Sequence, residues 1–441
     1  MINRKMSKSQ DGVSRATDGG LDNNANNPHQ YSSKEPENPF LVIARNRALE
    51  KITETDEKYR RQKDYKNLDF IQKNQLSTKR VCSCGTTLGK YLEIWENKHG
   101  SDSFAKMETC GSVHSCPICR RKIKQKHREE LRMVMDYLLD ANRNIYMLTL
   151  TCKHEIRDEF KDLVGSGRSP GKVAKGFLGA WGELINSKGW KKFKKINGVI
   201  GQIRATETTY SLKSGYHYHA HVLIISDKEI KDLEETKKGI FKEWSRLSVK
   251  CGLRKPSILA MDLQGAEYAS DYVSKWGADS EMTGSKKGIG SGYSIYELED
   301  MLTSEYLLGE SGFTLDRVKA IIKEMSRVLK GTKSLTWPTR GELATIRKAV
   351  TGSEKSDEDL AKLDYDDVVE LKALVERPLA NEFKRLGIMG YVKTMSENGM
   401  LRDFVDGFLR EEFSEYLITD PVILKKYQED TERIKDKYKA A

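Results

Sequence analysis

The fold is constrained most by two runs of strand-forming residues that lie on either side of a short turn. Residues 198–210 and 215–225 are rich in β-branched and aromatic side chains, and residues 211–215 supply Ser and Gly between them. Such runs are typical of β-strands, and a short polar turn joins neighbouring strands of opposite direction. The sequence therefore predicts a β-hairpin in the middle of the chain.

Three of the protein's eight histidines lie at alternate positions of the second strand: His217, His219 and His221. Side chains two residues apart share one face of a strand, so the three imidazoles project in one direction. Neutral imidazole is a good ligand for divalent metals. Val199, Ile203 and Ala205 give the first strand an apolar face that Glu207 continues. The hairpin can bring the carboxylate of Glu207 beside the imidazoles. The alternatives are a histidine-rich edge strand without metal and, for Glu207, an exposed strand end.

A further strand is predicted at residues 144–151. Its alternation places Thr149 and Thr151 on one face and Leu148 and Leu150 on the other. One face of this strand is therefore apolar, and the other carries hydroxyl groups.

The cysteines are clustered, and their number is odd. Five of the seven lie between residues 82 and 119: Cys82, Cys84, Cys110, Cys116 and Cys119. In a large cytosolic protein such a cluster indicates a metal site rather than disulfides. Cys116 and Cys119 flank a Pro-containing turn that presents two thiolates to one ion, and tetrahedral zinc takes four ligands. Cys110 is the expected third ligand and Cys84 the preferred fourth, with Cys82 and His114 as alternatives. A buried thiol cluster without metal is the other interpretation.

The net charge of +11 comes from an excess of Lys and Arg over plentiful acidic residues. This balance favours a polyanionic partner, most often nucleic acid. Residues 120–128, which follow the cysteines, contain six Lys or Arg side chains, which are either a solvated helix face or a phosphate-binding one. No apolar run reaches membrane-spanning length, and no charged-then-apolar segment opens the chain, so we expect a cytoplasmic protein without a membrane partner.

The composition changes along the chain and indicates several regions. Residues 1–70 are polar and rich in Asn and Ser, so we expect them to be mostly disordered. Residues 78–130 are the expected zinc-binding module with its basic helix, and 140–340 hold the hairpin. Residues 341–441 are charged, are expected to be helical, and contain no motif that we interpret.

Residues 262–277 have the periodicity of an amphipathic helix. Tyr268, Tyr272 and Lys275 lie at i, i+4 and i+7 on a face away from its buried stripe. The ordinary interpretation is packing with the rings buried and the hydroxyls wet. Beside a metal site, however, a tyrosine can attack a phosphate and stay covalently attached, while the ion stabilises the charge that develops.

The order of these motifs resembles the HUH endonucleases, and within them the rolling-circle replication initiators of small plasmids. The likeness spans about residues 80–340, and the order of its elements is more specific than any one of them. The elements are Cys84-Gly85, Cys110, His114-Ser115-Cys116-Pro117-Ile118-Cys119, Leu148-Thr149-Leu150-Thr151, Glu207-Thr208-Thr209-Tyr210, His217-Tyr218-His219-Ala220-His221-Val222-Leu223, Tyr272-Val273-Ser274-Lys275 and Gly331-Thr332-Lys333-Ser334-Leu335-Thr336-Trp337.

The resemblance implies an α+β fold in which helices pack on an antiparallel sheet, with a structural Zn²⁺ module before it and a helical region after it. It also implies that His219 and His221 are paired ligands of a catalytic Mg²⁺ or Mn²⁺. The third ligand would be Glu207 or His217. Residues 140–340 would then form the nicking and joining domain.

The resemblance also assigns the nucleophile. Tyr272 matches it, with Lys275 beside it. Tyr268 departs from the single-tyrosine pattern, and relatives with two tyrosines one turn apart use both. Some plasmid initiators carry a water-activating glutamate where this chain has Tyr268, and Glu267 lies about 140° around the helix from Tyr272. The resemblance therefore leaves the termination mechanism open.

The activity so implied is site-specific nicking of one strand at a replication origin. It yields a 5′-phosphotyrosine and a 3′ hydroxyl that primes rolling-circle replication, with single- and double-stranded DNA and a host helicase and polymerase as partners. A mobilisation relaxase or a transposase would use the same chemistry. A non-catalytic zinc-dependent nucleic-acid-binding protein, or a hydrolase that activates water, would also account for the histidines and cysteines.

Overall fold

The chain combines antiparallel sheets with packed helices, which confirms the predicted α+β class. The computed structural model describes residues 56–97, 104–167, 173–265, 292–352, 355–361, 368–390, 392 and 401–439. None of the helices in these ranges is long and apolar enough to cross a membrane.

The elements of the first half of the chain begin with a helix and a small sheet. They are α1 (Asp56–Lys73), α2 (Lys79–Cys82), β1 (Tyr91–Asn97), β2 (Phe104–Ala105), α3 (Pro117–Asp140), β3 (Asn144–Thr151), α4 (Phe160–Val164), α5 (Gly176–Asn186), α6 (Lys188–Asn197), β4 (Val199–Ser211), β5 (Gly215–Ser226), α7 (Leu233–Lys250) and β6 (Met261–Gln264).

The described part of the second half is mostly helical but contributes four strands. Its elements are β7 (Tyr293–Ser294), α8 (Ile295–Met301), α9 (Glu305–Ser311), α10 (Leu315–Val328), β8 (Leu335–Thr336), α11 (Glu342–Thr351), α12 (Asp357–Leu360), β9 (Val368–Glu376), α13 (Arg377–Leu386), α14 (Leu401–Asp403), a π-helical turn (Phe404–Leu409), α15 (Arg410–Phe413), β10 (Leu417–Ile418) and α16 (Pro421–Lys439).

The central sheet has the strand order β6-β3-β5-β4-β7, and β8 pairs with β4 on the same edge as β7, but with a different part of that strand. Its core is the predicted hairpin β4–β5, in which Ser211 pairs with Gly215 at the turn. The strand predicted at 144–151 is β3, which pairs antiparallel with β5. Five separate parts of the described sequence thus meet in one sheet: β3, the hairpin β4–β5, β6, β7 and β8.

One face of the central sheet is buried along its whole length. Aromatic side chains of β5 meet aromatic side chains of the helices that cover it: Tyr216 stacks on Phe160 of α4 at 4.4 Å, and Tyr218 lies edge-on to Phe177 of α5 at 5.2 Å. Apolar residues of α7 and α10 complete this core. Burial of such rings is worth roughly 1.5–3 kcal/mol each, so this face anchors the sheet.

The opposite face is apolar at one end and polar at the other. At the apolar end, Ile203 and Leu223 pack against Trp337, which follows β8, and against Leu138 of α3. Helix α11 covers the same end through Leu343. Beyond this cluster the same face carries the histidines, so α3 and α11 cover it only in part.

Two local predictions are wrong. Val199 does not share the face of Ile203, because an irregularity between Val199 and Gly201 shifts the register and turns Val199 into the core on the opposite side. Residues 262–264, predicted as the start of a helix, belong to β6, which pairs with β3. The alternation of buried Met261 and Leu263 with more exposed neighbours is that of a half-buried strand.

A second sheet joins the two ends of the chain in the order β10-β9-β1-β2. Strand β9 pairs with β1 from Tyr91 opposite Glu376 to Asn97 opposite Val368. We predicted that residues 341–441 are helical. This prediction is wrong for β9 and β10, which are strands. Apolar residues of β9, such as Ala373, are fully buried against the amino-terminal module, by which we mean residues 78–130.

The expectation for residues 1–70 also needs correction at its end. Residues 56–70 belong to helix α1, and Tyr65 and Leu68 are buried in the main core. Helix α1 packs on α13, where the backbone of Gln62 lies against Gly387. The helix is mostly polar, so packing against the carboxyl-terminal segment stabilises it more than its own composition does.

We expect Ala373→Asp in β9 to disturb the amino-terminal module with its clustered cysteines, although β9 is far from these cysteines in the sequence. Ala373 is fully buried opposite Ile94, and an unpaired carboxylate there should destabilise this module by about 3 kcal/mol or more. The measurement is the alkylation rate of buried Cys110, which should rise strongly. Asn381→Asp on the exposed side of α13 is the control, and equal alkylation rates in both variants would contradict the prediction.

Candidate metal centres

The first candidate centre lies at the polar end of the partly covered sheet face. Strand pairing places Glu207 opposite His219, and His219 opposite Thr151 on the other side. His221 lies opposite Thr149 in the same way. Directly opposed residues of antiparallel strands share a face, so three strands deliver these side chains to one place.

The carboxylate of Glu207 and the two imidazoles converge on a common point. Oε2 of Glu207 lies 3.2 Å from Nε2 of His219 and 3.8 Å from Nε2 of His221. One ligand atom from each of the three residues lies within 4.8 Å of the others. Neighbouring ligands of an ion with 2.0–2.1 Å bonds are about 3 Å apart, so this group could hold a metal ion.

The charges at this centre suit a cation. Burial favours the neutral form of Glu207, but the hydrogen bond with His219 and the positive charges around it outweigh burial and lower the pKa of Glu207 to about 2. Burial lowers the pKa of His221 to about 4. A carboxylate binds metal when it is ionised and an imidazole when it is neutral, so Glu207 and His221 are both in the forms that bind metal.

His217 is beside this centre but outside the converging group. Its ring stacks on His154 at 5.0 Å, nearly parallel, and lies 4.7 Å from the ring of His219. Burial lowers the pKa of His217 to about 4. Of the two third ligands left open by the sequence, the geometry therefore brings Glu207 to the His219–His221 pair. His154 was not singled out from the sequence, because it lies beyond the end of β3.

The second candidate centre is a buried group of four cysteines. The Sγ atom of Cys84 lies 3.5 Å from that of Cys119 and 3.6 Å from that of Cys116, and Cys110 lies 3.7 Å from Cys119. Four thiolates bonded at 2.3 Å to one tetrahedral ion are about 3.8 Å apart. The four side chains thus have the spacing of a tetrahedral metal site and could hold an ion.

Local structure explains which cysteines meet. Cys116 is the N-cap residue of α3 and Pro117 its first residue, so Cys119 lies one turn into the helix, on the same side. Cys82 ends α2, and its thiol is directed to the carbonyl oxygen of Ser77 at 3.9 Å. His114 is half-buried and lies outside the group, and loss of solvation lowers its pKa to about 4.

Cationic side chains of α3 and of the distant helix α13 act on the four thiols. Nζ of Lys384 in α13 donates to the carbonyl oxygen of Cys84 at 3.3 Å, and burial lowers the pKa of Lys384. Hydrogen bonds from the neighbouring thiols lower the pKa of Cys119, and the charge of Lys122 acts in the same direction. These cations reduce the cost of collecting thiolates in a buried site.

Part of the basic sequence after the cysteines is used inside the protein. Arg120 is buried in an ion pair with Glu299 of α8, and its guanidinium lies 4.2 Å from the ring of Tyr296. Arg121 pairs with Asp64 of α1 at 2.5 Å. These two cations hold helices together, so the expected phosphate-binding face of α3 is smaller than the sequence suggested.

Helix α3 connects the two candidate centres. Its first turn carries Cys119, and its last turns carry Leu131 and Leu138, which pack on the central sheet. The helix has 24 residues and is therefore about 36 Å long. Lys124, between these ends, lies 4.8 Å from the ring of Tyr296, and its charge contributes to the lowered pKa of Glu207.

Three predicted catalytic residues lie outside the described residues: Tyr268, Tyr272 and Lys275. Strand β6, which comes before them, pairs with β3 so that Asp262 lies opposite Thr149. The chain thus enters this segment beside the strand that flanks His221.

Two proteins of Streptomyces are distantly similar to part of the chain. "Protein rep" of Streptomyces lividans is 26% identical over 134 residues, which cover 26% of this chain and 29% of that protein. "Neomycin resistance protein" of Streptomyces cyanogenus is 29% identical over 130 residues, which cover 26% of this chain and 30% of that protein. The chain therefore matches less than a third of the length of either relative. No family model and no solved structure matches it.

Proposed function

We propose that the protein initiates plasmid replication by nicking one strand of the origin with a tyrosine nucleophile at the Glu207–His219–His221 centre. In this proposal residues 140–340 form the nicking and joining domain. Zn²⁺ in the four-cysteine site maintains the fold of the amino-terminal module. The name of the Streptomyces lividans relative, "Protein rep", supports a role in replication.

The convergence of Glu207, His219 and His221 on one point carries this proposal. A carboxylate and two neutral imidazoles could hold a divalent ion, which the resemblance to HUH endonucleases implies is Mg²⁺ or Mn²⁺, and such an ion would polarise the scissile phosphate and stabilise the charge that develops on it. The three side chains are also partly exposed to solvent, by 13% for His219, 16% for His221 and 24% for Glu207, rather than sealed in the core. The excess of basic residues in the chain favours a polyanion.

In the proposed reaction the protein forms one bond, from the oxygen of Tyr272 to the phosphorus. The phenol oxygen of Tyr272 attacks the phosphorus, a bond from phosphorus to the 3′ oxygen breaks, and the protein remains joined to the 5′ phosphate. The departing 3′ oxygen takes up a proton and becomes the primer end. A phenol has an ordinary pKa near 10, so in this mechanism the ammonium of Lys275 favours the phenolate. Tyr268 would carry out a second strand transfer or position the DNA.

We expect Tyr272→Phe to abolish the covalent product and Tyr268→Phe to retain it. Phenylalanine keeps the ring but lacks the attacking oxygen, so adduct formation should fall by more than about 100-fold. The measurement uses a supercoiled plasmid that carries the cognate origin, then a single-stranded oligonucleotide across the nick, with mass spectrometry of the trapped protein–DNA adduct.

The outcomes of this experiment distinguish the functions. An adduct of wild type that maps to Tyr272 supports nicking by this residue, and a normal adduct yield from Tyr272→Phe refutes the assignment. Cleavage without any covalent intermediate identifies a hydrolase. Origin binding without cleavage identifies a non-catalytic DNA-binding protein. A relaxase or transposase would form the adduct on a transfer origin or a transposon end instead.

A further inference from the structure

A row of exposed cations follows helix α10 and continues to the edge of the central sheet. Lys323 and Arg327 lie one turn apart on α10, Lys330 lies in the turn after it, and Lys333 lies in the segment that leads to β8. All four side chains are exposed, and none makes an ion pair with another described residue. We call these four residues the basic track. Cations in the last turn of a helix complement its dipole, but Lys323 lies before that turn and Lys333 beyond the helix.

The acidic side chains near the basic track have other partners. Glu324, which follows Lys323 in α10, accepts a hydrogen bond from the hydroxyl of Tyr216 at 2.7 Å. The charge of Arg327 also acts on Glu159, but that carboxylate is paired with Lys161 at 2.6 Å. Four neighbouring positive charges therefore repel one another without a compensating carboxylate, and an anion from outside would relieve this repulsion.

The last residue of the basic track lies beside the candidate catalytic centre. The carbonyl oxygen of Lys333 accepts a hydrogen bond from Oγ1 of Thr206 at 3.1 Å, and the carbonyl oxygen of Ser334 accepts one from the backbone nitrogen of Thr206 at 2.8 Å. Thr206 directly precedes Glu207 in β4. The basic track thus runs from α10 to the edge of the sheet next to Glu207.

We propose that the basic track binds the phosphate backbone of the DNA strand that enters the Glu207–His219–His221 centre. This inference rests on the proposed function, which identifies the polyanion as DNA. Arg120 and Arg121 of α3 are used in ion pairs inside the protein, so α3 does not supply all the phosphate contacts that its sequence predicted. Lys and Arg side chains in a row neutralise successive phosphates and release their counterions, whatever the base sequence.

Helix α6 offers a matched control. It ends just before Val199, and Val199 is separated from Glu207 by eight residues of β4, or about 26 Å. Four lysines of α6 are also exposed and also make no ion pair with a described residue: Lys188, Lys191, Lys192 and Lys195. Changing these four to Gln removes as much charge as changing the four residues of the basic track to Gln, but far from the centre.

The measurement is affinity for a fluorescein-labelled oligo(dT) strand, followed by fluorescence anisotropy without added divalent ion so that binding is observed without cleavage. Each phosphate contact contributes about 0.7 to the slope of log affinity against log salt for a single strand. The fourfold change in the basic track should reduce this slope by about 2.8, so that between about 50 and 200 mM salt wild type loses about 50-fold more affinity than the variant. Lys330→Gln and Lys333→Gln alone should each reduce it by about 0.7, and the α6 variant should keep the wild-type slope.

Every outcome decides the role of the basic track. An equal or larger reduction of the slope in the α6 variant would overturn the inference, because net charge or α6 itself would then explain the binding. An unchanged slope in Lys330→Gln and Lys333→Gln would also overturn it, and these single changes of exposed side chains decide the question even if the fourfold variant does not fold. If wild type binds the strand through the basic track but never nicks an origin plasmid, the proposed function fails while the inference stands. If wild type nicks and the track variants keep its salt dependence, the inference fails while the proposed function stands.

Discussion

Replacing His219 or His221 by alanine is expected to abolish metal-dependent nicking while leaving binding to duplex origin DNA largely intact. Each change removes one of the three converging ligand atoms, whereas most affinity for DNA should come from phosphate contacts elsewhere. Because loss of a residue that merely orients a ligand already costs 10- to 100-fold, we expect nicking to fall by at least about 100-fold. The measurement is conversion of supercoiled plasmid to the open circle with Mg²⁺ or Mn²⁺.

The same assay decides whether Glu207 or His217 is the third ligand of the catalytic ion. Glu207→Gln keeps the shape of the side chain but removes its negative charge, so it should impair nicking as strongly as the histidine changes. His217→Ala should impair it less, because His217 lies outside the converging group. His154→Ala, which removes a partly exposed ring stacked on His217, serves as the control for loss of an imidazole nearby. Full nicking activity of His219→Ala would reject the site, and stronger impairment by His217→Ala than by Glu207→Gln would reverse the assignment.

The second large effect is expected at the four cysteines. Protein purified without chelator should contain one zinc per chain, and Cys84→Ser should lose it. Closed thiolate sites contribute their binding free energy to folding, so we expect the module to lose about 3 kcal/mol or more of stability. Elemental analysis and thermal unfolding measure the two quantities.

Cys82→Ser is the matched control for this prediction. Cys82 is two residues from Cys84, but its thiol is directed to the carbonyl oxygen of Ser77 rather than to the other thiols. Its replacement should leave the zinc content unchanged. Absence of zinc from the wild-type protein, or equal loss from both variants, would show that the four thiols do not form the site.

The proposed nicking reaction and the four-cysteine site connect through α3. Zinc at the first turn of this helix would fix the position of Arg120, whose ion pair with Glu299 reaches α8. The far end of the helix packs on the central sheet beside the histidines. Loss of zinc is therefore expected to weaken nicking indirectly, through the position of α3.

The sequence by itself determined the features that arise from local periodicity. Alternation of period two defines strands β3, β4 and β5, and it places the histidines on a common face because neighbouring side chains of a strand point to opposite sides. The short interval between two of these strands also predicts their hairpin. The Cys-Pro-Ile-Cys turn predicts a pair of converging thiols for the same local reason.

Tertiary structure alone decided the choices between distant partners. The sequence left Cys84, Cys82 and His114 as alternatives, and only the packed ends of α2 and α3 show which thiol reaches the group. It could not show that β9 completes the sheet of the amino-terminal module, because about 270 residues separate β9 from β1. The contact between Oγ1 of Thr149 and Nδ1 of His221 likewise depends on the register between two strands far apart in the chain. Local pattern defines the face of a strand, and only long-range pairing decides which side chains meet across it.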